Sequence, residues 1–420
     1  MTTTKNNEHK KLNFSSEREQ NQACLNSAEH EKNQGQKVLN VPNLRFKEFQ
    51  GEWKYFLIND VCSEFKSGKS IKADSVFECG EYPVYGGNGL RGYTSSYNHE
   101  GSYVLIGRQG ALCGNVRSVY GKTYITEHAI AVAGNEKSNT SFLHYLFLKM
   151  NLGQYSDQSA QPGLAVNKLL KLKVALPIIS EQTKIAKLLS LLDERISTQS
   201  KIIDKLQSLI KGLEDNLLDN PLWEKTYLRS FMQFFSTNSL SWEQLSYKEG
   251  AIRNLHYGLI HGFQTRGINS ASLPMIKNEA IPKQYTLCQV GDVAFADASE
   301  DTGEIAKSVE FVDTIEGDTI CGLHTIHGRD IKNRTVVGFK GFAFNSRYFH
   351  NQIKRLAQGT KVFSITANNL SSCYVYLPDL DTQTVIVRLL KSYEEQLIID
   401  RMIFKQYEKQ KQYLLRQMFI

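Results

Sequence analysis

The stretch LPIISEQTKIAKLL at residues 176–189 recurs as LPDLDTQTVIVRLL at residues 377–390, so Leu-Pro, Gln-Thr and Leu-Leu return at an offset of 201. In each copy a proline precedes apolar positions that repeat every three or four residues, which is the pattern of a helix start. Ser180 is predicted to cap the first helix, and Glu181 places a favourable negative charge in its first turn. The sequence therefore predicts the same helix start twice in one chain.

The first predicted helix carries an apolar seam with alternating steps of four and three residues, which is typical of a coiled coil, and the second carries a weaker seam interrupted by Asp400 and Lys411. Gln199 and Asp400 are polar residues at the same seam position; either they fix the register between the helices or the match arises by chance. Each helix runs for about 39 residues, or roughly 58 Å at 1.5 Å per residue, which favours pairing with the other helix over packing on its own domain. An antiparallel pair acting as a spacer is predicted, with the seam Ile185, Leu189, Leu192, Ile196, Ile203, Leu206, Ile210, Leu213, Leu217, Ile386, Leu390, Leu397 and Leu414.

The segments before the two helices also begin alike, because Trp53 and Trp223 open related sequences at an offset of 170. Their interiors differ, which predicts a shared frame that carries two different recognition surfaces. The predicted organisation is a disordered tail at 1–40, a first domain at 41–175, a central helix at 176–220, a second domain at 221–377 and a C-terminal helix at 378–420.

Composition limits the functional class only broadly. The chain has 420 residues, a net charge of +7 and seven cysteines. This charge alone is weak evidence for a nucleic-acid partner. The cysteines are never spaced as CxxC, so they are expected to be reduced, mostly buried thiols, forming neither a disulfide framework nor a zinc site. No apolar run of membrane-spanning length and no signal peptide is found, which predicts a cytoplasmic protein that binds no membrane.

The sequence contains no strong catalytic motif. Glu64 and Lys66 form a weak match to a metal-dependent nuclease with Asp60, and the acidic run from Asp297 to Glu304 is better explained as a self-capped turn than as a Mg²⁺ site. His324 and His327 lack an evident third metal ligand, so structural or base-contacting roles are favoured. A recognition protein without catalysis is therefore preferred over a self-contained nuclease or methyltransferase and over a simple coiled-coil scaffold.

Polar side chains on the predicted glycine-rich loops are candidates for contacting DNA. Arginine and asparagine form paired hydrogen bonds with guanine and adenine edges, and glycine turns allow close approach of the backbone. Such clusters also occur in proteins that bind no DNA, so residue type and loop placement carry these predictions. The candidates are Lys69, Asn88, Arg91, Arg108, Gln109, Asn115, Arg253, Asn254, His256, His261, Arg266 and Lys361.

Several of these motifs, taken in order, resemble the specificity subunit of a bacterial type I restriction-modification system. They are VPNLRFKEFQGEW (41–53), YPVYGGNG (82–89), VLIGRQGALCGNV (104–116), GDVAFADASED (291–301), GLHTI (322–326) and the two helix starts. The resemblance implies a mixed α/β fold with two target recognition domains separated by two long helices, which form an antiparallel coiled coil with pseudo-two-fold symmetry.

The same resemblance implies the activity and the partners. Each domain would read one half of a split site in double-stranded DNA, and the chain would perform no catalysis and bind no metal or cofactor itself. Two methyltransferase subunits using S-adenosylmethionine and two restriction subunits using ATP and Mg²⁺ would dock on it. Recognition domains vary greatly in such a family, so no base-reading code is transferred. The repeated helix start is then expected because one chain imitates a two-fold object for two identical partners.

Overall fold

The computed structural model describes residues 40–157, 162–263, 266–313, 315 and 317–420. The predicted disordered tail, apart from Asn40, lies outside the described residues. The chain divides into two compact units: unit 1 runs up to Leu192 and includes Gln410–Ile420, and unit 2 is Asp193–Lys409. The domain boundaries given above stay predictions. Among the described residues, no helix combines the length and the apolar character needed to cross a bilayer.

Unit 1 is built on a six-stranded sheet in the order β2-β7-β5-β6-β3-β4, in which only β3 and β6 are parallel neighbours. A separate pair, β1 and β8, is antiparallel. The strands are β1 (Lys54–Leu57), β2 (Cys62–Ser67), β3 (Tyr82–Gly86), β4 (Gly89–Thr94), β5 (His99–Gly107), β6 (Val116–Ile125), β7 (Ala129–Gly134) and β8 (Lys173–Leu176). The short helices are α1 (Ile58–Val61), α2 (Thr140–Met150) and α3 (Val166–Leu169).

The core of unit 1 packs α2 against the sheet. Asn139 caps this helix by accepting a hydrogen bond from the backbone of Phe142, and Phe142 is fully buried. The rings of Trp53 and Phe419 lie 6.0 and 5.1 Å from that of Phe142, so the predicted opening of the first domain and the end of the chain share one aromatic core.

Unit 2 contains a five-stranded sheet, β10-β19-β15-β17-β13, and a four-stranded sheet, β11-β14-β12-β18. Two further pairs are β16 with β20 and β9 with β21. The strands are β9 (Glu224–Tyr227), β10 (Met232–Phe235), β11 (Leu245–Ser246), β12 (Arg253–Leu255), β13 (Gly267–Ile268), β14 (Met275–Ile276), β15 (Val293–Ala296), β16 (Ala298–Ser299), β17 (Ser308–Phe311), β18 (Thr319–Cys321), β19 (Thr325–Asp330), β20 (Phe363–Ser364) and β21 (Tyr374–Leu377). Its short helices are α5 (Tyr257–Gly262), α6 (Phe339–Ala343), α7 (Arg347–Leu356) and α8 (Ala367–Ser372).

The two sequence offsets reappear in the strand register. In unit 1, Lys54 of β1 pairs with Leu176 of β8. In unit 2, Glu224 of β9 pairs with Leu377 of β21. Since 224 is 54 plus 170 and 377 is 176 plus 201, equivalent residues pair in both units. The strand that opens each globular segment is therefore tied to the strand that leads into its long helix.

The two predicted long helices are present as α4 (Ile179–Leu218, 40 residues) and α9 (Leu380–Gln417, 38 residues). Their starts are held by equivalent glutamines, both fully buried. The Gln182 amide donates to the carbonyls of Pro177 and Lys137, each at 2.9 Å, and its oxygen accepts from the Asn139 backbone at 2.8 Å.

Gln383 repeats this bonding at the start of α9. Its amide donates to the carbonyls of Pro378 and Arg334, each at 3.0 Å, and its oxygen accepts from the Val336 backbone at 3.0 Å. Each glutamine thus bonds the proline carbonyl before its helix and two backbone groups of an earlier loop, which are costly to leave unpaired. This explains why both copies of the repeated stretch have a glutamine at this position.

The long helices run antiparallel within each unit. In unit 1, Ile185 near the start of α4 shares an apolar cluster with Leu414 near the end of α9. In unit 2, Leu217 near the end of α4 shares a cluster with Ile386 near the start of α9. All of the predicted seam residues are described and none of them is exposed.

The polar seam residues contact each other. The Gln199 amide donates to the Asp400 carboxylate at 2.8 Å, and both residues are buried. Because Asp400 is the residue 201 positions after Gln199, each residue contacts its own counterpart in the repeat. This direct contact explains why both seams are polar at this position.

Candidate nucleic-acid interface

A surface cavity of about 400 Å³ in unit 1 brings together three of the predicted DNA-contacting residues. The turn between β3 and β4 supplies Asn88, and Arg91 follows on β4. Gln109 comes from the loop after β5, and His128 from the turn between β6 and β7. All four side chains are exposed. The cavity, here called the β3–β4 cavity, offers an amide, a guanidinium, a second amide and an imidazole side by side.

Glycines allow the segments around the β3–β4 cavity to approach closely. A Cβ on Gly87 would lie 2.7 Å from the His128 carbonyl oxygen, so a larger residue would push the turn away. Gly89 has a φ of +106°, which side chains rarely adopt. The Arg108 backbone donates to the same His128 carbonyl at 2.9 Å. The backbone therefore fixes the positions from which the polar side chains project.

His128 and Arg117 were missed by the sequence reasoning. A ring nitrogen of His128 lies 3.3 Å from the Gln109 side-chain oxygen. The Arg117 guanidinium is exposed and lies beside Gly89, since a Cβ there would be 3.1 Å from Arg117 Cζ. Both residues lie outside the glycine-rich segments in which candidates were sought, and no local pattern connects them with the turn.

The other candidates of unit 1 lie outside the cavity lining. Lys69 is exposed in the segment after β2, where its backbone donates to Ile125 at 3.0 Å. Asn115 is exposed just before β6, and Arg108 is half-buried. These three side chains are available at or near the surface but are not gathered with Asn88.

In unit 2, the strand β12 and helix α5 place an aromatic cluster at the surface. The ring of His256 lies 4.4 Å from that of Trp242 and 4.8 Å from that of Tyr257. The ring of His324 lies 5.3 Å from that of Tyr257, and that of His261 lies 6.2 Å from it. Trp242 and His324 are exposed, whereas His256 is buried. Burial and the nearby His324 lower the pKa of His256, which favours its neutral form.

Three further candidates of unit 2 have different surroundings. Arg253 donates to the carbonyls of Ala271 and Leu273 at 3.0 and 3.2 Å. Asn254 is fully buried, and among the described residues no hydrogen-bond partner is found for its side chain. Lys361, by contrast, is exposed in the loop before β20.

Arg266 connects the second domain to both long helices. Its guanidinium lies 2.8 Å from the Glu214 carboxylate of α4 and 2.6 Å from that of Glu394 on α9. Burial nevertheless raises the pKa of Glu214 to about 6, and it also raises the pKa of Glu394. Arg266 is thus placed to hold two buried carboxylates.

The residues considered above for a nuclease site or for metal binding make contacts within the protein. Glu64 contacts Lys66 at 3.1 Å and His99 at 3.0 Å within unit 1. The backbone of Gly303 donates to the Asp301 carboxylate at 2.7 Å, which agrees with the self-capped turn expected for that acidic run. His324 lies 3.0 Å from the Asp297 carboxylate.

The comparisons with known proteins all indicate similarity to the same protein family. Residues 50–208 match the model described as "Type I restriction modification DNA specificity domain". The type I restriction enzyme EcoprrI specificity subunit of Escherichia coli is 43% identical over 154 residues, which are 36% of this chain and 38% of that protein. This match therefore spans well under half of the relative's length.

Two further similarities extend over most of the chain. The type I restriction enzyme MjaVIII specificity subunit of Methanocaldococcus jannaschii is 25% identical, with 88% of this chain and 94% of the relative covered. The crystal structure of a type I restriction-modification S subunit from M. genitalium has a TM-score of 0.62 at 15% identity, with coverage of 90% and 99%. The latter is a likeness of fold alone, and it confirms the predicted mixed α/β fold class.

Proposed function

Because this chain is similar to type I restriction-modification specificity subunits, we propose that it belongs to that family and selects the DNA sequence on which such a complex acts. The comparisons agree with the resemblance found in the sequence. In the proposed function, each globular segment reads one half of a split site in double-stranded DNA. The chain performs no catalysis of its own.

The observation that carries this proposal is the combination of one repeated frame with two unlike surfaces. Gln182 and Gln383 hold the two helix starts with equivalent bonds. The β3–β4 cavity of unit 1 has exposed amide and guanidinium groups, whereas unit 2 presents the aromatic cluster around Tyr257. Equivalent frames suit two identical partner subunits, and unlike surfaces suit two different half-sites.

Direct base reading is assigned first to the β3–β4 cavity. A guanidinium such as Arg91 donates two hydrogen bonds to guanine, and an amide such as Asn88 or Gln109 pairs with adenine. Imidazoles such as His128 add a further donor or acceptor. In unit 2, the exposed Trp242 and its aromatic neighbours offer stacking and van der Waals contact to nucleotides.

The remaining candidates divide by their surroundings. Lys69, Asn115 and Lys361 are exposed and suit contacts with phosphates, which fix the orientation of the protein on DNA. Asn254 is fully buried and Arg266 contacts two carboxylates inside unit 2, so we propose that both position the reading segments. Arg108 and Arg253 are partly buried, and we assign them to the proposed DNA interface as well.

The partners proposed for the complex are two methyltransferase subunits and two restriction subunits. Exposed apolar side chains on the long helices, among them Ile202, Leu209, Val385 and Ile399, offer a docking surface. Those partners would supply the S-adenosylmethionine, ATP and Mg²⁺ chemistry, and the complex would act on DNA in the cytoplasm.

The decisive experiment is single-molecule sequencing of methylated adenine in a host that expresses this chain with its neighbouring methyltransferase. The proposal expects a split motif of two short, dissimilar halves that disappears when the chain is omitted. Identical methylation with and without the chain, despite a demonstrated complex, would refute the proposal.

Variants then assign one half of the motif to unit 1. Arg91→Ala is expected to relax one base position and to weaken binding by about 1–3 kcal/mol for the original site. Lys171→Ala, an exposed residue of unit 1 outside the cavity, is the matched control. If Arg91→Ala weakens binding to all sequences equally, Arg91 contacts phosphate and its assignment as a base reader is wrong.

A further inference from the structure

Three buried side chains of unit 2 that the proposed function does not use lie in one cluster. The ligand atoms of Cys288, Cys321 and His327 all lie within 4.8 Å of one another. Their residues are 6%, 2% and 1% exposed. The two sulfur atoms are 3.6 Å apart. In a tetrahedral zinc site with Zn–S bonds of about 2.3 Å, two sulfurs are separated by about 3.8 Å, so the observed spacing suits that geometry.

Rigid backbone holds each of these three residues. Cys288 donates its backbone N–H to Thr319 at 2.8 Å, just before β15. Cys321 ends β18, and His327 lies within β19, where it pairs with Ala294 of β15. The three groups therefore come from two strands and from the segment before β15, and they owe their proximity to the fold.

A second layer of contacts orients the imidazole. The Nε2 atom of His327 lies 2.7 Å from an Asp292 carboxylate oxygen. Arg329 donates to both oxygens of Asp292 at 2.8 and 2.7 Å, and the Gln289 backbone donates to it at 2.8 Å. A histidine fixed by a carboxylate in this way is the usual arrangement around a protein-bound metal.

We propose that Cys288, Cys321 and His327 of unit 2 bind one Zn²⁺ ion, with three protein ligands. Both thiols release a proton on binding, so two thiolates balance the charge of the ion, and the neutral imidazole gives its free nitrogen. The sulfur-to-nitrogen separations contract to about 3.5 Å in the bound state. The fourth coordination position is left to a water molecule.

The site would join the two main sheets of unit 2. Cys321 belongs to the four-stranded sheet, and His327 belongs to the five-stranded sheet. Leu255 of β12 is the register partner of Cys321, and His256 of the aromatic cluster follows it directly. Metal binding therefore fixes the strand from which the proposed reading surface of unit 2 projects.

The sequence predicted no zinc site, because Cys288 and Cys321 lie 33 positions apart and no CxxC pair marks them. His327 was considered with His324, but the cluster found among the described residues includes His327 and not His324. The cysteines are also less uniformly buried than predicted, since Cys79 is exposed. Folding, not spacing, assembles the three ligands.

The test is metal analysis of the full-length chain, purified under reducing conditions without chelator or a metal-binding tag. Elemental mass spectrometry is expected to find about one zinc per chain, as a single site requires. Replacement by Co²⁺ is expected to give thiolate-to-metal charge-transfer absorption, and bound zinc is expected to protect Cys288 and Cys321, but not Cys79, from alkylation.

Cys288→Ser is expected to lose the zinc and the cobalt absorption, whereas Cys373→Ser keeps both; Cys373 is a matched control because it is a buried thiol outside the cluster. If Cys288→Ser does not fold, chelator treatment of the unchanged chain replaces it, with a lower melting temperature and exposure of both thiols expected. A reduced, folded chain that binds no zinc above the level of Cys288→Ser, or that resists chelator unchanged, would overturn the proposal. Recovery of a Cys288–Cys321 disulfide from freshly prepared protein would overturn it too.

Discussion

The start of α4 in unit 1 and the start of α9 in unit 2 make the same hydrogen bonds to backbone groups. Their charged side chains, however, make different contacts. Gln182 and Gln383 make the same three hydrogen bonds, one to the proline carbonyl before the helix and two to an earlier loop. Glu181, however, is replaced by Thr382 at the equivalent position. A feature kept in both units thus satisfies buried backbone groups, which every such helix start requires.

The charged side chains at the two helix starts make different contacts. In unit 1, Arg45 donates two hydrogen bonds of 2.7 Å to the fully buried Glu181 carboxylate. In unit 2, Asp379 caps the helix by accepting from the Thr382 backbone at 2.9 Å and from its hydroxyl at 2.8 Å. The comparison teaches that the frame conserves geometry between the units while its electrostatics are specific to each.

The largest effect is expected from the shared glutamines. Gln182→Ala and Gln383→Ala each leave two carbonyls and one amide of the backbone without their partner, so each local opening free energy is expected to fall by about 2–4 kcal/mol. Hydrogen–deuterium exchange of peptides covering 176–189 and 377–390 measures the two losses separately.

Equal losses at the two helix starts would support the equivalence of the two frames. Gln207→Ala, an exposed glutamine on α4, serves as the control and is expected to change stability by no more than about 0.5 kcal/mol. If the opening free energy fell at only one of the two helix starts, the two frames would not be equivalent. Hydrogen bonds of matching geometry would then contribute different free energies.

A smaller effect is expected from the acidic pair that unit 2 gathers around Arg266. Because burial raises the pKa of Glu214 from its ordinary 4.5 to about 6, the folded state binds its proton more tightly than the unfolded state does. The resulting stability is present below about pH 4.5 and is lost as pH rises through about 6, amounting to about 2 kcal/mol for a shift of this size.

Glu214→Gln is therefore expected to flatten the stability of unit 2 between about pH 4.5 and 6 relative to the unchanged chain. Urea unfolding at a series of pH values measures the difference between variant and parent, which cancels the opposite contributions of carboxylates with lowered pKa, such as Asp292. Glu194→Gln, exposed on α4, is the control. A parallel pH profile for variant and parent would contradict the prediction.

The smallest net effect is expected at the contact between Gln199 and Asp400. Each single leucine substitution removes the hydrogen bond between the two side chains and leaves a buried polar group with fewer partners, because Gln199 keeps the Asp400 carbonyl and Asp400 keeps Gln396. Each is expected to cost about 1–2 kcal/mol, whereas the double substitution restores most of that loss. A double-mutant cycle by urea unfolding gives the coupling between them. Additive losses would show that the two side chains do not stabilise each other, and that this contact does not contribute to the shared frame.

The helical frame was predictable because its signals are local. The apolar steps from Ile185 to Leu217 follow the period of a helix facing one partner, and the offsets of 170 and 201 predicted which strands and helices are equivalent. The bonding of Gln182 was not predicted, since its acceptors Lys137 and Pro177 lie in segments whose loop geometry no periodicity encodes.

The candidate interface was predictable only in part. Residue type and glycine content indicated Asn88, Arg91 and Gln109, which the fold gathers around one cavity. The same reasoning also selected Asn254, which is buried, and it missed His128. Side-chain chemistry is written in the sequence, but exposure depends on what packs above each residue.

The sequence by itself determined the repeated frame, the mixed α/β class and the family resemblance, because periodicity and ordered motifs are properties of neighbouring residues. Tertiary structure alone decided that Gln199 meets Asp400, that Arg266 holds two carboxylates, and that Cys288 lies beside Cys321. These contacts join residues from 33 to 201 positions apart. Such pairs come together only when the packing of sheets and helices has fixed the path of the chain between them.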